Sequence, residues 1–503
     1  MNLTQKTVKG VSWAGVSQVI RLLLQFGIIA FLARLLSPKE FGLIAMVVVF
    51  TNLAMVFRDF GLTAALVQRK ELTQEHLFSS FWLNILAGLI LSLIIAAAAP
   101  AIAHFYSEPE LTPVTIVIGA TFFISSFGIV QMALLMKQLD FKRLAIVEIS
   151  AVAISGTVAI LLALAGFGVW SLVWQQVIFS FATVVFLWLF SRWRPQFSFR
   201  WQRGKELLGF GLNLTGFNIL NYFTRNMGKL LIGRSLGSIP LGFYDLAYRL
   251  LLFPLDNISS VIGRVMFPAL SIIQQDKAKT RYAYLRATRY IAMVSFPLML
   301  GLLILAPQFV PVIFGPQWGR SIFLIQILAL VGLMQSISTT VGWIYQSQGR
   351  TDILLRWGIF STVIVVPSLI IGLRWDVEGV AVAHAIAAAL LAYPCFAIPF
   401  KLINLKVGHL FKQLSRVILA TLAMGAIIFG LRLFLLNTLG ANDLITLIAC
   451  VVIGVISYAG LLFVIDRGLY QEVWQLLGQL RASPDEVLWQ PEYDPGSNNE
   501  DEL

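Results

Sequence analysis

About fourteen apolar stretches, separated by short polar loops, dominate this chain. A hydrocarbon core needs roughly 20 helical residues to cross it, so each stretch has the length of a membrane span. The stretches fall near 10–36, 40–66, 77–103, 114–136, 143–165, 168–191, 207–235, 239–272, 285–306, 321–346, 353–373, 378–400, 414–436 and 444–465. Of the 503 residues 58% are hydrophobic and 12% charged, and the mean hydropathy is +0.82. Soluble domains carry about 25% charged residues, so the sequence reads as an all-α integral membrane protein. The first stretch holds Gln18, Arg21 and Gln25 and runs to about Leu36. That is too long and too polar for the apolar part of a signal peptide, so it is expected to be a retained first span.

The Lys and Arg residues between spans alternate in density. One side holds Lys6 and Lys9, Arg69 and Lys70, Lys137 to Arg143, Arg192 to Lys205, Lys277 to Arg289, Arg350 and Arg356, and Lys401 to Arg416. The opposite loops hold little beyond Arg34, Lys39, Arg234, Arg320 and Arg374. By the positive-inside rule both termini are cytoplasmic, which needs an even number of spans. The formal charge of +12 therefore reports membrane orientation, and no nucleic-acid partner is expected.

An internal repeat accompanies this pattern. LARLLSPKEFG at 32–42 aligns with IGRSLGSIPLG at 232–242, matching Arg34 to Arg234 and Gly42 to Gly242. Ala99-Pro100 recurs as Ala306-Pro307, each closing the third span of its half, and GVWSL from Gly168 resembles GVAVA from Gly379. Six spans separate the copies, so they share one orientation, and parallel repeats place a substrate site at the interface of two bundles. The expected division is an N-lobe at 1–191, an interfacial linker at 192–206, a C-lobe at 207–401, two further spans within 402–465 and a cytoplasmic tail at 466–503, acidic from about Ser483. The linker interleaves bases and aromatics, RWRPQFSFRWQRGKE, as a segment lying among lipid headgroups does.

Spans seven and eight carry residues that hydrocarbon should exclude. A charge near the bilayer centre costs at least about 2.5–3.5 kcal/mol, so several on one helix pair need a reason. At 100° per residue Asn218, Asn221, Arg225 and Lys229 share one face of span seven, and Asp245, Arg249, Asp256, Ser260 and Arg264 share an arc of span eight. Their repeat counterparts carry Gln18, Arg21 and Gln25 in span one, and Asn52, Asp59 and Thr63 with nearby Arg58 in span two. Bases outnumber acids, which suits a phosphorylated ligand. The candidate cavity residues are Arg21, Arg58, Asn218, Asn221, Arg225, Lys229, Arg249 and Arg264, with Asp59, Asp245 and Asp256 as candidates for coupling to H+ or Na+. Simpler roles stay open: Asp245 and Arg249 fit an intrahelical i,i+4 pair, Arg264 a snorkelling base, and Arg58 with Asp59 a local pair.

Other chemistries find little footing. Cys395 and Cys450 lie in apolar stretches, and His76, His104, His384 and His409 form no ligand-like spacing, so no metal or cofactor is expected. No GxxxxGK[ST] loop occurs, which argues against direct ATP drive. Glu108 with Glu110, and Asp376 with Glu378, sit on short outer loops and read as solvated charges rather than as the catalytic pair of a glycosyltransferase or polymerase. No catalytic residue is assigned.

Three segments carry a family resemblance: KGVSWAGVSQVIRLLLQFGIIAFLARLLSPKEFGLIAM from Lys9, DFGLTAALVQR from Asp59, and FGPQWGRS from Phe314. Over about residues 4–465 the chain resembles the polysaccharide-transporter branch of the multidrug/oligosaccharidyl-lipid/polysaccharide exporter superfamily. Within that branch it is similar to Wzx-type lipid-linked oligosaccharide flippases of the colanic-acid and teichuronic-acid kind. The resemblance implies a V-shaped, two-lobe protein of fourteen helices in a bacterial inner membrane. Such a protein moves an undecaprenyl-diphosphate-linked oligosaccharide between leaflets by alternating access through a cationic cavity. Its implied partners are that lipid and the bilayer, with polysaccharide-assembly proteins as further candidates. A drug antiporter of the same superfamily is the alternative; its cavity should be acidic, and here bases dominate.

Overall fold

The computed structural model describes residues 3–58, 73–196, 212–466 and 468, with side chains for 17–55, 73–196, 222–466 (apart from 254, 256, 260 and 264) and 468. Every regular element among them is helical. The elements are α1 Leu3–Leu35, α2 Pro38–Arg58, α3 Gln74–Tyr106, α4 Leu111–Ser126, α5 Ile129–Lys137, α6 Phe141–Leu164, α7 Val169–Phe190, α8 Leu212–Leu236 and α9 Ser238–Pro254. There follow α10 Ser260–Ile272, α11 Lys277–Ile313, α12 Ser321–Ser338, α13 Val341–Ser347, α14 Thr351–Gly372, α15 Asp376–Phe400, α16 Val407–Asn437 and α17 Asp443–Ile465.

Among the described residues eleven helical runs are long and apolar enough to cross a membrane, or twelve if the bent pair α4–α5 is one span. Against the fourteen stretches of the sequence, α8, whose side chains are described only from Tyr222, lies outside that set, and α14 with α15 form one 53-residue run, Thr351–Ile403. Helix ends follow local chemistry. Asn442 accepts from the Ile445 amide at 2.9 Å and starts α17, and Asp140 accepts from the Arg143 amide at 3.1 Å and starts α6. Asp276 accepts from the amides of Ala278 and Lys279, both at 3.0 Å, ahead of α11. Those contacts, the Lys279 amide foremost, hold its carboxyl below the ordinary aspartate range.

Several spans depart from straight rods. Span four bends by 46° between α4 and α5, at Phe127 and Gly128. Span eight is interrupted by a π-helical turn, Leu255–Ser259, directly after Pro254. Proline lacks the N–H that the α-helical ladder needs, and a widened turn is one way for the neighbouring carbonyls to find donors. The Ala-Pro pairs do not close their spans. Each helix runs six residues past its proline, α3 from Pro100 to Tyr106 and α11 from Pro307 to Ile313. Ala99 and Ala306 are both fully buried, so the repeat marks matched packing positions rather than helix ends.

Two compact units divide the chain. The first comprises Met1–Asp245, Ile313–Trp318 and Leu369–Val380. Within it small residues let helices close: a Cβ on Gly156 of α6 would overlap Ile28 of α1, and one on Gly88 of α3 would lie 2.7 Å from the Ser126 side chain of α4. The beginnings of α2 and α9 meet through bare backbone. A Cβ on Gly42 would overlap the Ser238 carbonyl, and one on Gly242 would overlap the Pro38 carbonyl. Trp318 is fully buried beside them, edge-on to Phe41 at 5.2 Å and Phe243 at 6.0 Å, and its indole Nε1 donates to the Ala33 carbonyl at 2.7 Å.

The second unit comprises Leu246–Val312, Gly319–Ser368 and Ala381–Leu503. Its core gathers Tyr284, Ile344, Tyr345, Phe400, Leu414 and Val417. The Tyr284 and Thr340 hydroxyls share a hydrogen bond of 2.9 Å there, satisfying both without water. At the end of α17 the buried Asp466 carboxylate pairs with Arg289, and at 3.5 Å with Arg416.

Candidate functional site

The site is built on the α8–α9 hairpin. Gly237, at φ +90°, makes the turn in a conformation that favours glycine. Positions equally far from the turn then face each other, and Lys229 and Asp245 each lie eight residues from Gly237. Lys229 Nζ stands 2.7 Å from Asp245 Oδ1, with side chains only 13% and 1% exposed. Gly228 makes room for the approach, since a Cβ there would lie 3.1 Å from the Tyr244 hydroxyl. The pair is neutral as a unit, so it leaves the net charge of the stripe to its other bases, and each ion finds a counter-charge inside the protein. The sequence offers Arg249, one turn away, as a neighbour for Asp245, and the hairpin adds Lys229 from the facing helix.

On α1 the Arg21 guanidinium donates to Gln18 Oε1 at 2.6 Å. Its Nε lies 3.8 Å from Glu148 Oε2 on α6, with side chains 30% and 44% exposed. Glu148 escaped the sequence reading. Its signal was an acid inside the apolar run AIVEISAV, the same kind of anomaly that marked spans seven and eight. Arg225 on α8 and Arg249 on α9 have exposed side chains. Exposed guanidinium groups on spanning helices can each give a phosphate two parallel hydrogen bonds.

Asp59 lies outside the described residues. The side chains of Arg58, Asn218, Asn221, Asp256 and Arg264 lie outside the described set as well, although the backbone at 256 falls in the π turn. In the second unit His384, read from sequence only as a poor metal ligand, stacks on Tyr248 with centroids 6.4 Å apart and lies 3.5 Å from Gln335. Among the described residues no group of three or more His, Cys, Asp or Glu is placed to hold a metal ion.

Comparison with known proteins gives this geometry a context. Residues 31–323 match the family model described as Polysaccharide biosynthesis protein. The lipopolysaccharide biosynthesis protein WzxC of Escherichia coli (strain K12) is 30% identical over 378 residues, covering 74% of this chain and 76% of that protein. The succinoglycan biosynthesis transport protein ExoT of Rhizobium meliloti (strain 1021) is 28% identical over 488 residues, 95% of this chain and 96% of that one. Among solved structures the chain resembles the lipid II flippase MurJ in its inward closed conformation, with a TM-score of 0.69 at 15% identity over 92% of this chain and 100% of that one. At that identity the likeness speaks for the fold.

Proposed function

The chain belongs to the polysaccharide biosynthesis protein family, and from that membership we propose that it is a flippase carrying a lipid-linked oligosaccharide across a bacterial inner membrane. The observation that carries the reading is a base-rich stripe on helices otherwise built for hydrocarbon: Arg225 and Lys229 on α8, Arg249 on α9. A diphosphate leaving water needs such groups to replace its hydration. Arg225 and Arg249, whose side chains are exposed whereas Lys229 is largely buried, are the bases best placed to meet it. Arg58 and Arg264 extend the same cationic surface in this reading, and Asn218 and Asn221 supply neutral hydrogen bonds to sugars.

In this proposal the chain performs no covalent chemistry, and both termini face the cytoplasm. Two lobes, 1–191 and 207–401, rock about the linker at 192–206, with the spans within 402–465 and the tail outside the repeat. Asp245 is the described candidate for ion coupling, alongside Asp59 and Asp256. Protonating Asp245 would remove the negative charge facing Lys229 at 2.7 Å, which ties a proton to the net positive charge available for substrate. A drug antiporter of the same superfamily fits less well, because a base-rich stripe repels lipophilic cations.

Export of the chain's polysaccharide in cells lacking the native copy tests the reading. Arg225→Ala and Arg249→Ala, at matched protein levels, should each lower export at least fivefold and leave lipid-linked oligosaccharide on the cytoplasmic face. Unchanged export in both overturns the role given to the stripe.

A further inference from the structure

The first unit holds a cavity of about 1120 Å³ whose exposed lining is almost wholly apolar, walled by α2, α3 and α8. It is larger than the ~300–1,000 Å³ of ordinary ligand pockets. Phe223 and Leu230 bring α8 to it from the side roughly opposite the polar stripe, since at 100° per residue Arg225 and Lys229 point away from them. One helix thus presents bases on one face and a hydrocarbon wall on the other.

The shape of the cavity selects among occupants. Along α3 its wall runs in a single i, i+3, i+4 stripe from Leu83 through Ile90, Ile94, Ala98 and Ile102 to Phe105. At 1.5 Å per residue these 22 steps span about 33 Å, the full thickness of a bilayer's hydrocarbon core. Water has no polar partners to hold it in such a lining. A phospholipid acyl chain belongs to one leaflet and ends near the midplane, so it fills half the length. A polyprenyl chain is long enough to lie along all of it.

We infer that this groove is a track for the polyprenyl tail of the lipid-linked substrate, continuous across both leaflets, so that the tail stays sheathed while its headgroup crosses on the opposite face of α8. The inference rests on the flippase reading and assigns that reading's substrate a second, apolar site. The tail's contact gains much from CH2 groups taken from water but little from those taken from lipid. The groove therefore guides the chain, through shape, rather than holding it tightly.

The test uses the purified full-length protein in detergent, with undecaprenyl phosphate and dioleoyl phosphatidylglycerol as probes and native mass spectrometry as readout. Ala87→Trp and Ala98→Trp place an indole in the groove, and both positions are only partly exposed on α3. Each should weaken undecaprenyl phosphate binding at least tenfold and leave phosphatidylglycerol unchanged. Wild-type-like binding of undecaprenyl phosphate by both folded variants, or equal loss of both lipids, overturns the inference. A photoreactive residue at Ile94 covers the case in which the Trp variants fail to fold. It should form an undecaprenyl phosphate adduct that the same residue at Leu433, exposed on α16, does not; the opposite result also overturns the inference. Failure of the wild type to bind undecaprenyl phosphate at all, with no loss of export on deletion, sinks the flippase reading instead.

Discussion

The two copies of the repeat treat intramembrane charge differently. In the first, Arg21 of α1 reaches across to Glu148 of α6 at 3.8 Å, with both side chains about a third exposed or more. In the second, Lys229 and Asp245 close on each other at 2.7 Å within one hairpin, nearly sealed from solvent. The backbone contact between the copies shows no such difference: Gly42 meets the Ser238 carbonyl as Gly242 meets the Pro38 carbonyl. Duplicated geometry survives where backbone touches backbone, and diverges where side chains carry charge. A loose pair can open to a ligand at little cost, whereas a sealed pair holds its hairpin and changes only when one partner changes its charge.

The strongest way to break this contrast is to strip one cation from each pair. Lys229→Met takes from the buried Asp245 carboxylate its cation at 2.7 Å and should destabilise the purified protein by about 3–5 kcal/mol, read as a large fall in thermal midpoint. Adding Asp245→Leu to it should restore most of that loss, because two apolar groups of similar volume leave no charge stranded. If the double variant is no better than the single, the pair is not what holds the hairpin. The glycine contact predicts equality instead. Gly42→Ala and Gly242→Ala should each cost about 1–3 kcal/mol, within error of one another, and unequal losses would show that the contact is not shared. Arg21→Met should cost less than about 1 kcal/mol while still reducing export, which separates use from stability.

The smallest effect is expected where charge is fully exposed. Asp276, paired with Lys279 at 3.3 Å, caps α11 through two amides. Its depressed carboxyl means that the cap persists above the ordinary aspartate value of about 3.9 and is lost as pH falls below it. Protection of the Ala278 and Lys279 amides, measured against the exchange rate of a free peptide at the same pH, should fall only in that acid range, and Asp276→Ala should remove the pH dependence of that protection.

Hydropathy made most of the spans legible, because it is a sum over many residues. Pairings were harder. Asp245 has an obvious neighbour in Arg249 along the chain, while a second cation, Lys229, lies 16 residues back and becomes visible only once Gly237 is known to fold the two helices together. Glu148 carried a signal as plain as that of Arg225 but stood alone in its span, so no stripe drew attention to it. The bend at Phe127 and Gly128 and the π turn after Pro254 were illegible for another reason: a break in a helix leaves the hydropathy of the segment unchanged. The apolar groove was hidden for the same cause, since a concave row of Leu, Ile and Ala has the same sequence as a flat one.

The crossing of Gly42 and Gly242 has one further consequence. When residue i touches j′ and residue i′ touches j in return, the contact is isologous, the arrangement by which two identical subunits form a two-fold dimer. Here both partners belong to one polypeptide and to the first compact unit, so the reciprocal contact is made without a second chain. Two aligned segments of a chain are ordinarily free to differ in sequence. At this crossing they are not, because room for a side chain on either copy must be found in the backbone of the other.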